Sequence, residues 1–137
     1  MWDGVRELYH LLRGVLQKAL GRYGLLLSEY RALALCGQGP VPLKSITRAL
    51  GVTPAATTDV ARRLAHRGLI RLVAHPTDRR SRVAILTRSG RRLLRRARDD
   101  QQQVLRDLGV RISPPARRGL QRGVAELRRE LSVPDEA

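Results

Sequence analysis

Arginine is the side chain that could do chemistry in this chain. Its 137 residues include 25 Arg and only 2 Lys (Lys18 and Lys44) against 12 Asp+Glu, a formal net charge of +15. The excess is focused. Residues 1–60 hold 7 basic and 4 acidic side chains, residues 61–98 hold 13 Arg and a single acid, Asp78, and residues 99–137 hold 7 Arg and 7 acids. A compositional bias explains Arg over Lys, but not why one segment leaves its arginines unbalanced. Such a focus is an electrostatic footprint for a polyanion, most often nucleic acid and less often an anionic membrane surface. Catalysis has no comparable support. No nucleophile–base pairing, phosphate-cradling loop or metal cluster is legible, so an enzyme is the least favoured class.

Other reactive types are sparse. The one cysteine, Cys36, excludes an intramolecular disulfide framework and a Cys-rich zinc site. His10, His66 and His75 are dispersed and lack ligand spacing, so neither metal nor cofactor is expected. Apolar residues make up 42% of the chain, which fits a globular domain and not a disordered tail. No apolar run reaches membrane-helix length, and the first 20 residues are amphipathic without a signal-peptide core. The expectation is an intracellular, cytoplasmic protein of one domain or two small lobes.

The elements that must position these arginines follow from periodicity. Val5, Leu8, Tyr9, Leu12, Val15, Leu16 and Ala19 recur at helical spacing over 3–20, ended by Gly21 and Gly24. Ser28 is a candidate cap for a second helix over 29–36, which turns Tyr30, Leu33 and Ala34 inward. Pro42 suits the first turn of a third helix over 42–50, which Gly51 stops. Thr53 caps and Pro54 opens a fourth helix reaching about Arg67, closed by Gly68. The period then changes. Residues 69–74 and 82–86 read as two strands joined by the polar tip His75-Pro76-Thr77-Asp78-Arg79-Arg80-Ser81. Thr87 caps a fifth helix of about 88–108, Pro114 opens a sixth of about 114–131, and the last six residues read as a frayed tail.

Helices over 42–50 and 53–67, joined by a short Gly turn, form a helix-turn-helix whose second helix can enter the DNA major groove. A basic hairpin directly after it is a wing, able to reach phosphates or the minor groove. With these pieces in order the chain resembles the MarR (multiple antibiotic resistance regulator) family. The resemblance is carried by Leu50-Gly51-Val52-Thr53-Pro54, by Arg63-Leu64 leading to Gly68-Leu69-Ile70, by Asp78-Arg79-Arg80, and by Leu86-Thr87-Arg88-Ser89-Gly90. It implies a mostly α (α+β) winged helix-turn-helix with flanking N- and C-terminal dimerisation helices. Residues 28–90 would form the DNA-binding lobe, and 1–27 with 91–137 the dimerisation region. It further implies a homodimer on double-stranded DNA, most often a repressor of a pseudo-palindromic operator, released by a small-molecule effector or an oxidant. Apolar stripes on the last two helices agree: Leu93, Leu94, Ala97, Val104, Leu105 and Leu108, then Leu120, Val124, Leu127 and Leu131. Exposed on a monomer, they would invite aggregation.

Thr53, Pro54, Ala55, Ala56, Thr58, Asp59, Arg62, Arg63, Arg79, Arg80 and Arg82 are the expected DNA contacts. In the recognition helix Thr57, Val60, Ala61 and Leu64 are expected to face the core. Thr58 matches a threonine that in the family often touches phosphate. Ala55 and Ala56 stand where the family more often has small hydroxyl residues, and Asp59 where a polar or basic residue is common. Ala offers only apolar contact with a thymine methyl; Asp59 either accepts from a cytosine amine or pairs with Arg62 or Arg63. Direct base reading is therefore thin, and specificity is expected to lean on the wing and on DNA shape. Asp78 is expected to orient one of the wing arginines. Arg88, Arg91, Arg92, Arg95 and Arg96 crowd the start of the fifth helix against its dipole and against one another. They call for an anionic neighbour, either flanking DNA backbone or acids such as Asp99 and Asp100 of a partner chain. Oxidant-sensing relatives carry their thiol in the first helix, so Cys36 reads as a buried core side chain. Tyr9, Leu12 and Tyr30 are candidates for an effector cleft, with core packing the favoured role for each. The leading reading is a ligand-responsive regulator. The alternatives are an architectural DNA binder with little sequence preference and a protein-interaction module.

Overall fold

The computed structural model describes residues 2–131; the expected tail over 132–137 and the side chain of Trp2 lie outside the described residues. The element order is α1 (Trp2–Gly21), α2 (Leu27–Cys36), β1 (Val41–Pro42), α3 (Leu43–Leu50), α4 (Pro54–His66), β2 (Ile70–Ala74), β3 (Arg82–Leu86), α5 (Arg88–Arg111) and α6 (Pro114–Glu130). This is a mostly helical winged helix-turn-helix with a small antiparallel sheet. The chain divides into two compact units, Met1–Gln102 and Gln103–Ala137.

The first unit owes its core to one face of each helix and one face of the sheet. Leu20, Leu25, Leu33, Ile46, Leu64, Ile70, Ala84 and Leu94 are buried together. The helix-turn-helix corner is fixed by local chemistry. Gly51 takes a left-handed conformation (φ 64°) and its N–H donates to the carbonyls of Thr47 and Arg48, ending α3. Two residues later Thr53 Oγ1 accepts from the Ala56 N–H at 3.1 Å, and Pro54 occupies the first helical position of α4. The hydroxyls of Thr47 and Thr57 bond across the corner at 2.7 Å.

Two local expectations are corrected. Ser28 does not cap α2. The cap position is Leu26 in extended conformation, and the carboxylate of Glu29 reaches back to the Leu26 N–H at 2.9 Å. An acid three residues into the helix supplies what a leucine at the cap cannot. Pro42 is not in the first turn of α3. It precedes that helix and belongs to β1, pairing with Val83, while Val41 pairs with Ala84. Strand order is therefore β1-β3-β2. Proline is tolerated there because β1 is an edge strand.

The wing strands pair in the register Ile70↔Leu86 through Ala74↔Arg82. The exit from the wing is tightly fastened. Thr87 donates its N–H to the Leu69 carbonyl at 3.1 Å and its hydroxyl to the Gly68 carbonyl at 2.7 Å. The same hydroxyl oxygen accepts from the Gly90 N–H at 3.0 Å, capping α5. A Cβ on Gly90 would collide with the Leu69 carbonyl oxygen, so this close approach requires glycine.

On α1, Ala19 and Leu20 are buried, but Val5, Tyr9 and Leu11 are exposed. Tyr9 is 57% exposed and meets the His10 ring edge-on at 5.4 Å, so its expected packing into the core of the chain does not occur. Tyr30 does pack against the core, from a half-buried position.

The second unit comprises the last turns of α5, and α6. No side chain among its described residues is buried. Leu105, Val110, Leu120, Val124, Leu127 and Leu131 are all exposed. Polar contacts among its described residues include Gln103 Nε2 donating to Asp107 at 2.8 Å, Arg106 donating to Gln103 Oε1 at 2.9 Å and Arg117 donating to the Gly109 carbonyl at 3.4 Å.

Candidate nucleic-acid interface

Recognition helix α4 separates its faces cleanly. Thr57, Val60, Ala61 and Leu64 are buried, as their spacing predicts, while Pro54, Ala55, Thr58, Asp59, Arg62 and Arg63 are exposed and Ala56 is half-buried. Thr58 donates its hydroxyl to the Pro54 carbonyl at 3.0 Å, which leaves its oxygen lone pairs outward. Asp59 lies 3.4 Å from Arg62, the expected i,i+3 pair. That contact is worth only about 0.2–0.5 kcal/mol, so a phosphate can compete for Arg62.

Arg63 behaves differently from Arg62. Its Nε donates to Glu29 Oε1 at 2.7 Å, and Glu29 is buried. The other carboxylate oxygen caps α2. Arg67, one turn later, donates to the carbonyls of Tyr23 (2.7 Å) and Gly24 (2.9 Å). Neither contact was legible in the sequence, because each joins residues more than 30 positions apart. Glu29 did leave a signal: an acid at the third helical position, where a capping box needs one.

The wing tip is a built turn. The Asp78 carboxylate accepts from the Arg80 N–H at 3.0 Å and from the Ser81 hydroxyl at 2.7 Å, with Lys44 Nζ of α3 at 3.5 Å. These bonds hold its carboxyl below the ordinary carboxylate range, the Ser81 hydroxyl first and the Arg80 N–H second. Asp78 therefore orients the backbone of the tip and not an arginine side chain, which corrects the expectation. Lys44 is a contributor that local sequence pattern could not reveal. Arg79, Arg80 and Arg82 are exposed, and none has a carboxylate partner among the described residues.

At the start of α5, Arg88, Arg91, Arg92, Arg95 and Arg96 are all exposed. An open groove beside them is lined by Arg67, Leu69, Ser89, Arg92, Arg95 and Arg96, among others. Asp100 accepts a hydrogen bond from the Tyr23 hydroxyl of its own chain, which engages one of the two acids expected to meet these arginines from a partner. That bond is also the leading cause that raises the Tyr23 phenol above its ordinary value. Cys36 is buried, and desolvation pushes its thiol up to about 11. Among the described residues no group of three or more His, Cys, Asp or Glu side chains is placed to hold a metal ion, and no helix is long and apolar enough to cross a membrane.

Residues 25–81 match the family model of the MarR family. No curated protein sequence matches the chain significantly. Solved structures do match over nearly the whole chain. RV1404 from Mycobacterium tuberculosis is 26% identical, with 98% of this chain and 94% of that one covered and a TM-score of 0.80. Sco3205 from Streptomyces coelicolor, a MarR family transcriptional regulator solved in complex with DNA, is 24% identical, with coverage of 99% and 88% and a TM-score of 0.81. BpsR from Bordetella bronchiseptica, whose DNA binding is regulated by 6-hydroxynicotinic acid, is 24% identical, with coverage of 98% and 94% and a TM-score of 0.77. The family match over residues 25–81, the element order and the wing together show that this chain carries a winged helix-turn-helix fold similar to that of the MarR family.

Proposed function

We propose that the protein is a dimeric, sequence-specific transcriptional regulator, a repressor of a pseudo-palindromic operator released by a small ligand. The carrying observation is the exposed face of α4 together with a pre-formed wing tip. Thr53, Pro54, Ala55, Ala56, Thr58, Asp59 and Arg62 supply the groove-facing surface, and Arg79, Arg80 and Arg82 supply cations with no carboxylate partner among the described residues. The uncovered apolar stripes on α1 and α6 support a dimer. A ligand-regulated relative supports an effector, whose chemistry here is open.

Salt dependence tests the reading. If each subunit neutralises about four phosphates, log K falls against log salt with a slope of about −7 for the dimer. Replacing Arg79 and Arg80 with Ala removes about four contacts per dimer and brings the slope to about −3.5. An unchanged slope would remove the wing from the interface. A second reading, an architectural binder with little sequence preference, draws on Ala55, Ala56 and the Asp59–Arg62 pair, which leave few groups to read bases.

A further inference from the structure

We propose that Arg63 is a positioning residue of the DNA interface and not a phosphate contact. This rests on the DNA-binding reading above and refines it. Arg62 and Arg63 are adjacent on the recognition helix, and sequence alone makes them equivalent. The structure separates them. Arg62 meets an exposed aspartate at 3.4 Å in a pair open to solvent. Arg63 meets Glu29 at 2.7 Å, and the side chain of Glu29 is only 6% exposed.

Glu29 is shared. One oxygen holds Arg63 Nε and the other holds the Leu26 N–H at the start of α2. Breaking the Arg63 contact strands a buried carboxylate, which is far more costly than loosening a surface pair. Arg67 secures the same turn from the end of α4, through the carbonyls of Tyr23 and Gly24. Gln17 of α1 secures it from the other side, donating to Leu25 O at 3.1 Å and accepting from Leu27 N at 3.0 Å. Tyr23 in that turn donates to Asp100 of α5. The turn between α1 and α2 is thus held by three helices, and Arg63 and Arg67 lock α4 to it. A helix read by its exposed face must be held in one rotation and depth, and this clamp fixes both.

The test compares Arg63→Gln, Arg62→Gln and Glu29→Gln with the wild type. Each binds a labelled random-sequence duplex long enough for two half-sites, over a range of salt, at a temperature where melting curves show every variant folded. Arg62→Gln is expected to reduce the salt slope by about 1.8 per dimer, two lost contacts at 0.9 each. Arg63→Gln is expected to keep the wild-type slope while losing about tenfold in affinity at every salt concentration, because α4 is no longer held in one rotation and depth. Glu29→Gln supplies a sign. Removing a negative charge near a polyanion favours binding by electrostatics alone, so weaker binding by this variant is the signature of a lost clamp. Should Arg63→Gln fail to fold, the sign from Glu29→Gln decides. A slope that falls for Arg63→Gln as it does for Arg62→Gln, or tighter binding by Glu29→Gln, would overturn the inference. A wild-type protein that binds no duplex would instead overturn the DNA-binding reading beneath it.

Discussion

Glu29 and Asp78 show how single carboxylates organise a cationic lobe. Glu29 divides its oxygens between Arg63 Nε and the Leu26 N–H, whereas Asp78 spends its own mainly on the Arg80 N–H and the Ser81 hydroxyl. Because the Asp78 carboxyl is held low, its ordering of the wing tip is fully present above the ordinary carboxylate value. It is lost as pH falls through the lowered one. The Arg80 amide resonance is therefore expected to titrate with a midpoint below that of a free aspartate, and Asp78→Ala to abolish the transition. Cys36 gives a second prediction. Burial and a thiol at about 11 leave almost no thiolate at neutral pH. A disulfide reagent is expected to label it only after unfolding, and rapid labelling of the native protein would contradict its core placement. At this scale the sequence was legible where chemistry is local, as in the Thr53 cap and the buried row Thr57, Val60, Ala61 and Leu64. It misassigned the cap of α2, because Ser28 is a better cap than Leu26 by type and the decisive donor–acceptor pair runs through Glu29.

The elements were legible wherever glycine, proline and periodicity agree. The corner Gly51-Val52-Thr53-Pro54 and the exit Thr87-Arg88-Ser89-Gly90 fall where expected, because each residue type fits one backbone role. The β1 strand was not legible, since two residues carry no alternation and one of them is proline. Two substitutions probe these joints. Gly90→Ala drives a Cβ into the Leu69 carbonyl and is expected to destabilise by about 1–3 kcal/mol or more, read as a lower midpoint in urea. Thr53→Ala removes the α4 cap and is expected to cost about 1 kcal/mol by the same measurement. If Gly90→Ala unfolds at the wild-type midpoint, the close approach of α5 to the wing exit is wrong.

For the whole molecule, the distribution of charge and the unsatisfied apolar stripes matter more than any single contact. Residues 61–98 carry 13 of the 25 arginines, and they form the second half of α4, the wing and the start of α5. The first unit has a core of its own, while the second has no buried side chain among its described residues. A helix with Leu120, Val124, Leu127 and Leu131 all exposed needs a cover, and the proposed dimer would supply one from a second copy of the chain. Sedimentation equilibrium is expected to give twice the chain mass at micromolar concentration. Leu120→Glu with Leu127→Glu is expected to lower that mass; a monomeric wild type would contradict the dimer. Sequence periodicity revealed the stripes, but it placed Tyr9 in the core of its own chain, where it is 57% exposed, because a helix stripe does not say what covers it.

Selection of bound duplexes from a random pool by the purified protein at moderate salt tests the central claim most directly. The account predicts enrichment of an inverted repeat whose two half-sites are centred about one helical turn or a multiple of it apart, as a two-fold dimer of recognition helices requires. Binding without enrichment of any sequence would contradict it and leave a charge-driven architectural protein.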